Sequence, residues 1–184
     1  MQSTKKSTRI IIWVIAIAMA GGFIGSSFLM IFNNNAATDQ TNQTTNPTPT
    51  GQPDPNAFKV EGPVGQLGIT DIKVGTGAVA QVGDSITVHY KGTLAQTGIK
   101  FDSSYDRGEP ITLALQAPSA TQPGVIRGWV TGIDGMKVGG KRRLVIPASL
   151  AYGDEAQETI PANSDLVFEV ELLNVAPPAP TSDL

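Results

Sequence analysis

The strictest constraint in this chain is a period of two. In Asp84-Ser85-Ile86-Thr87-Val88-His89-Tyr90-Lys91, the side chains of Ile86, Val88 and Tyr90 share one face, while Ser85, Thr87 and His89 share the other. Only a strand with one buried face turns that spacing into a continuous apolar surface. Asp165-Leu166-Val167-Phe168-Glu169-Val170-Glu171-Leu172 repeats it, with Leu166, Phe168, Val170 and Leu172 inward. Ile69-Thr70-Asp71-Ile72-Lys73-Val74 is a further strand, closed by Gly75-Thr76-Gly77, and Leu144-Val145-Ile146 is a short one ended by Pro147. Gln96-Thr97-Gly98 joins two antiparallel strands, 88–94 and 99–102.

One segment has a different period. After Pro123-Gly124, apolar residues fall at Ile126, Trp129, Val130 and Ile133, the i, i+3, i+4, i+7 spacing of one helical face. Gly128 and Gly132 each cost up to ~1 kcal/mol relative to Ala in a helix, which a short helix lying very close to a sheet can tolerate. Gly139-Gly140 ends the segment. The expected fold class is α+β, a curved antiparallel sheet wrapped around one short helix.

This domain is not the whole chain. Residues 10–32 are uncharged and mostly apolar. As a helix, at about 1.5 Å per residue, such a run would cross a hydrocarbon core of ~30 Å. Lys5, Lys6 and Arg9 precede it and no basic residue follows until Lys59. That asymmetry predicts a single-pass anchor with residues 1–9 cytoplasmic and the remainder outside the cytoplasmic membrane. The alternative is secretion after signal cleavage, but the run is long for a signal peptide and the nearest cleavage candidate, Asn35-Ala36-Ala37, has Asn three positions back. Residues 33–58 change to Asn, Thr, Gln and Pro and read as a disordered linker. Residues 59–176 form one domain, and 177–184 a Pro-rich tail.

Several function classes fall away on composition. With no Cys, the chain has no disulfide, no thiol nucleophile and no lipid-modified cysteine. His89 is the only histidine and faces away from Tyr90, so a His-based catalytic or metal centre has no second His to recruit. Within 59–176 ten Lys and Arg face thirteen Asp and Glu, which argues against a nucleic-acid partner. Lys141-Arg142-Arg143, the one basic cluster, is split by a strand between two faces and reads as a solvated edge.

The remaining chemistry lies in short aromatic pieces: Val88-His89-Tyr90, Lys100-Phe101-Asp102-Ser103-Ser104, Val125-Ile126-Arg127-Gly128-Trp129, Ala151-Tyr152-Gly153 and the 166–172 strand. In this order and spacing they resemble the FKBP family of peptidyl-prolyl cis/trans isomerases over about residues 68–175. The resemblance implies an apolar bowl for a proline ring. Trp129 would be its floor, with Tyr90, Phe101, Val125, Ile126 and Phe168 as walls; Ile111 matches a position commonly aromatic in the family and makes a weaker wall. Asp102 would sit at one side, oriented by the Tyr90 hydroxyl and paired with Arg107. The Ile126 N–H and the Tyr152 hydroxyl would donate to substrate carbonyls. Asp102, Tyr152, Trp129 and Tyr90 would carry the catalysis, without metal or cofactor.

As ligands the resemblance implies proline-containing client polypeptides and macrolide inhibitors, bound by a monomeric domain. Two departures bear on preference: extra residues Gln116 to Gln122, a flap able to restrict the site, and an acidic loop after Tyr152 carrying Asp154, Glu155 and Glu158. Against the pocket reading stands plain core packing, the commonest use of Trp, Tyr and Phe. Against the enzyme stands a binding module or chaperone on the same fold, which would hold proline peptides without accelerating their exchange.

Overall fold

The computed structural model describes residues 46, 47, 49, 51–119 and 122–178. The expected membrane segment 10–32 lies outside them, as do the first nine residues and most of the tail. Among the described residues no helix is long and apolar enough to cross a membrane.

Six antiparallel strands make one sheet: β1 (Gly68–Lys73), β2 (Ser85–Leu94), β3 (Lys100–Ser103), β4 (Ile111–Ala114), β5 (Lys141–Ile146) and β6 (Leu166–Ala176). The spatial order is β1-β5-β6-β2-β3, and β4 also pairs with β2. β2 is the axis: β6 runs along its full length on one edge, while β4 and β3 take successive halves of the other. Its inward residues are those of the period-two pattern: Ile86 and Val88 are fully buried and Tyr90 nearly so. Across the register, Val88 faces Leu172 and Tyr90 faces Val170, so the two alternating segments bury a common face.

Helix α1 (Ser104–Arg107) is a single turn capped by the Ser103 side chain, which accepts from the Tyr105 N–H. Helix α2 (Arg127–Ile133) lies on the sheet, and its two glycines explain how closely. A Cβ on Gly128 would fall 2.4 Å from Ile146 Cγ2, and one on Gly132 would fall 2.7 Å from Leu144 Cδ2. Both approaches are far inside van der Waals contact, so only hydrogen fits there.

Three expectations need correction. The Lys141-Arg142-Arg143 triplet is not a solvated edge, because β5 is flanked by β1 and β6. The alternation does divide it: Arg142 bonds the Asp71 carboxylate at 2.6 Å and the Gly132 carbonyl at 2.9 Å, while Lys141 and Arg143 both reach Glu169. The 33–58 linker is not free up to residue 58. Pro53 bridges to Ile99, the Asp54 N–H donates to the Gly98 carbonyl at 3.0 Å, and the Asp54 carboxylate pairs with Lys91 at 2.8 Å. Phe58 lies under the Arg143 guanidinium at 4.4 Å, and the Val60 N–H donates to the Ala95 carbonyl. Residues 53–64 are therefore a strap around the 94–99 hairpin tip, with long-range partners that local composition does not encode. Finally, one helix was expected where α1 and a 3₁₀ turn (Ala148–Leu150) also occur.

Candidate active site

The site forms where α2, the C-terminal half of β2, β3, β4 and the segment after β5 converge. Its floor is Trp129 in the first turn of α2, 4% exposed. The indole meets Tyr90 edge-on (centroids 5.4 Å, 80° between planes) and Phe168 likewise (5.2 Å, 87°). Phe101 in turn meets Phe168 edge-on at 5.5 Å and 81°. These contacts have the T-shaped geometry that ring quadrupoles favour, so each ring fixes the next. The Trp129 Nε1–H is buried and finds no acceptor among the described residues.

All nine residues expected at the site, Tyr90, Phe101, Asp102, Ile111, Val125, Ile126, Trp129, Tyr152 and Phe168, line one cavity of about 470 Å³. The phenol of Tyr90 donates to the Asp102 carboxylate, and Arg107 reaches both, with its Nη1 on Asp102 and its Nη2 on the Tyr90 oxygen at 2.8 Å. Burial, and then the Asp102 bond, push the Tyr90 pKa well above that of a free phenol against the pull of Arg107. Burial opposes the charge on Arg107, but its bonds to Asp102 and Tyr90 outweigh that and hold its pKa above the usual value. Tyr90 thus keeps its phenol proton and Arg107 its charge through neutral pH, and their bonds to Asp102 make a fixed dipolar wall.

Tyr152 follows the 3₁₀ turn and is half-buried; burial first, then the charge on Asp102, raise its pKa. Its hydroxyl and the Ile126 N–H make no hydrogen bond among the described residues. Both are therefore available to a bound carbonyl. His89 does not line the cavity: its Nδ1 is 3.0 Å from Ser104 Oγ and its ring stacks on Tyr105. Fully buried Ser104 also accepts from the Tyr90 N–H at 2.8 Å, which pins the backbone beneath the Tyr90 ring.

The chain between β4 and α2 closes on itself. The Val125 N–H donates to the Gln116 carbonyl at 2.8 Å, and Gln116 Nε2 reaches Gln122 and the Pro123 carbonyl. This flap brings Ala117, Pro118 and Gly124 to the cavity. Beyond the nine expected residues, Leu113, Arg127, Ser149 and Ala151 line the cavity, as do Asp154 and Glu155 of the acidic loop. Leu113 had a signal in its alternation with Ile111; Arg127 sits inside the 125–129 piece without being singled out.

Residues 77–173 match the family described as FKBP-type peptidyl-prolyl cis-trans isomerase. The chain is 47% identical over 112 residues to the FKBP-type peptidyl-prolyl cis-trans isomerase FkpA of Escherichia coli K12, covering 61% of this chain and 38% of that one. It is 48% identical over 113 residues to the FK506-binding protein of Neisseria meningitidis serogroup B, covering 61% of this chain and 98% of the relative. Among solved structures, FkpA from Escherichia coli matches with a TM-score of 0.55 and 45% identity, over 61% of this chain and 49% of that one. AtFKBP13 matches with a TM-score of 0.52 and 39% identity, over 60% and 93%. The chain thus spans well under half the length of the FkpA relative and nearly all of the Neisseria one. On the match to residues 77–173 and the near-complete coverage of a protein 48% identical to it, the chain belongs to the FKBP-type peptidyl-prolyl cis-trans isomerase family.

Proposed function

We propose that the domain catalyses cis/trans isomerisation of X–Pro bonds in polypeptide clients outside the cytoplasmic membrane, tethered there by residues 10–32. The observation that carries the catalytic part is the conjunction of an indole-floored aromatic cavity with two unspent donors, the Ile126 N–H and the Tyr152 hydroxyl, beside the locked Tyr90–Asp102–Arg107 wall. Partial double-bond character sets a barrier of ~18–20 kcal/mol to rotation about the peptide bond. In the twisted state that resonance is lost and the amide dipole shrinks, so an apolar bowl disfavours the planar amide more than the twisted one. Donors positioned for the twisted geometry add to this, and only interactions stronger in that state raise kcat. A barrier lowered by about 8 kcal/mol gives roughly a millionfold acceleration. Asp102, Tyr152, Trp129 and Tyr90 are assigned the catalysis, with Phe101, Ile111, Val125, Ile126 and Phe168 holding the proline. Macrolides are assigned to the same cavity, and the domain acts as a monomer.

The asymmetry of Lys5, Lys6 and Arg9 against residues 33–58, which carry no basic residue, supports the tether and its orientation. Protease accessibility of the domain on intact cells or spheroplasts tests it; protection would overturn it. Acceleration of X–Pro exchange in short peptides tests the activity. Competitive binding without acceleration would establish the second reading, a proline-binding chaperone, which the flap residues Ala117 and Pro118 at the cavity favour.

A further inference from the structure

The lip of the cavity carries charge that isomerisation does not require. Asp154 and Glu155, separated from Tyr152 by Gly153, line the cavity and are exposed. Among the described residues neither carboxylate has an ion pair or a side-chain hydrogen bond. Glu155 is held only through its backbone, where its N–H donates to the Tyr152 carbonyl at 3.2 Å and its carbonyl accepts from Gln157 Nε2 at 3.4 Å. The other charges at the cavity do not cancel them. Asp102 is neutralised by Arg107, and Arg127, which also lines the cavity and has no ion pair, offsets one carboxylate of the two. Every other acidic side chain near a cation on this sheet is spoken for: Asp54 by Lys91, Asp71 by Arg142, Glu169 by Lys141 and Arg143. Two unpaired carboxylates, with Arg127 alone to set against them, are therefore left at the rim of the aromatic cavity.

From this we infer that Asp154 and Glu155 are specificity determinants, which select client segments carrying Lys or Arg beside the proline and discriminate against Asp or Glu there. The inference deepens the proposed function and rests on a proline occupying the aromatic bowl. A side chain flanking that proline lies within several ångströms of the lip. There two exposed carboxylates attract a cation and repel an anion through water-like dielectric, with one Debye length of about 10 Å at 0.1 M salt. Opposite effects on the two charges multiply in their ratio. Peptides differing only by Lys or Glu beside proline should bind with affinities about tenfold apart at low ionic strength, and less than about twofold apart near 1 M salt.

The test uses the full chain in detergent and fluorescently labelled tetrapeptides of the form Ala-X-Pro-Phe and Ala-Phe-Pro-X, with X as Lys, Leu or Glu. Anisotropy gives Kd, and exchange spectroscopy on the same peptides gives the isomerisation rate. The expected result is tightest binding for Lys and weakest for Glu in at least one series, with the Lys-to-Glu ratio collapsing in high salt and in Asp154→Asn/Glu155→Gln. Arg127→Gln should widen the ratio. An unchanged ratio in the double variant, or no dependence on X, overturns the inference even if exchange is accelerated. Charge-ordered binding without acceleration keeps the inference and removes the isomerase reading. Failure of every peptide to bind overturns both.

Discussion

Gly92 offers the sharpest test of whether the aromatic rings form a working pocket. It sits in β2 opposite Asp102 of β3 and Phe168 of β6. A Cβ there would lie 2.6 Å and 2.7 Å from Cζ and Cε2 of Phe101 and 2.9 Å from Cε1 of Phe168. Carbon atoms rest at about 3.5–4.0 Å, so Gly92→Ala must push both rings by roughly 1 Å, and both already line the cavity. Overpacking of this kind costs typically 1–3 kcal/mol, against about 0.5–1 kcal/mol recovered from the lost backbone freedom of glycine. The net expectation is a loss of about 1–2 kcal/mol in stability, read as a lower urea midpoint with an unchanged m-value. Catalysis should suffer more than stability. A misplacement of about 1 Å can cost a hundredfold in rate, so kcat/KM on a short X–Pro peptide should fall by ~10–100-fold where the variant remains folded. Gly65→Ala, whose Cβ meets nothing within 4 Å, serves as the control: it should leave kcat/KM alone and should not lower the urea midpoint. If Gly92→Ala folds and retains full kcat/KM, the Phe101 and Phe168 rings are core filling and the pocket assignment fails.

Other expectations follow from the same geometry. Trp129→Ala removes a floor that is 4% exposed and should destabilise by about 3–5 kcal/mol, while Tyr152→Phe removes one substrate hydrogen bond worth ~0.5–1.5 kcal/mol; equal losses in kcat/KM would refute the two roles. Because Tyr90 and Arg107 both hold their protons more tightly than usual, kcat/KM should be flat between about pH 6 and 9 and indifferent to chelators; a bell-shaped profile would refute this. Burial alone would raise the Glu169 pKa, but its bond to Arg143 and the charges of Lys141, Arg143 and Lys91 take it below the ordinary 4.5. That depressed value means its stabilising contribution is present above pH 4.5 and is lost as the pH falls through the folded pKa. Glu169→Gln should therefore flatten the acid limb of stability, and identical acid limbs in the two proteins would count against the pairing. Phe58→Ala, which strips the ring from under Arg143, should cost about 0.5–1 kcal/mol; no change in the urea midpoint would mean that the strap contributes nothing there.

The elements that were legible from sequence are those whose information is local. The alternation around Ile86, Val88 and Tyr90, and that around Phe168 and Val170, fixes both face and register, because a slip of one residue would expose every apolar side chain. The helical spacing of Ile126, Trp129, Val130 and Ile133 was equally plain, and α2 starts one residue after Ile126. The nine residues expected at the site were named from aromatic pieces that match a family pattern, and they line one cavity. Strand β4 was not read: Ile111-Thr112-Leu113-Ala114 is only four residues and owes its form to pairing with Ser85 to Val88. The strap was missed for a related reason. A Pro- and Asn-rich stretch has little to bury by itself, yet Asp54 finds Lys91 and Phe58 finds Arg143 in strands distant along the chain. Arg142 was misplaced because a triplet of cations says nothing of which strands will flank it, nor that Asp71 and the carbonyl at the end of α2 await it.

The glycines of α2 have a wider consequence. With Gly128 against Ile146 and Gly132 against Leu144, the helix cannot rise, tilt or slide without parting from β5. The indole it carries is accordingly as immobile as the sheet. Change in what the cavity admits must therefore be written in the flap around Ala117 and Pro118 and in the loop after Tyr152, where residues can be exchanged or inserted without moving the indole at its base.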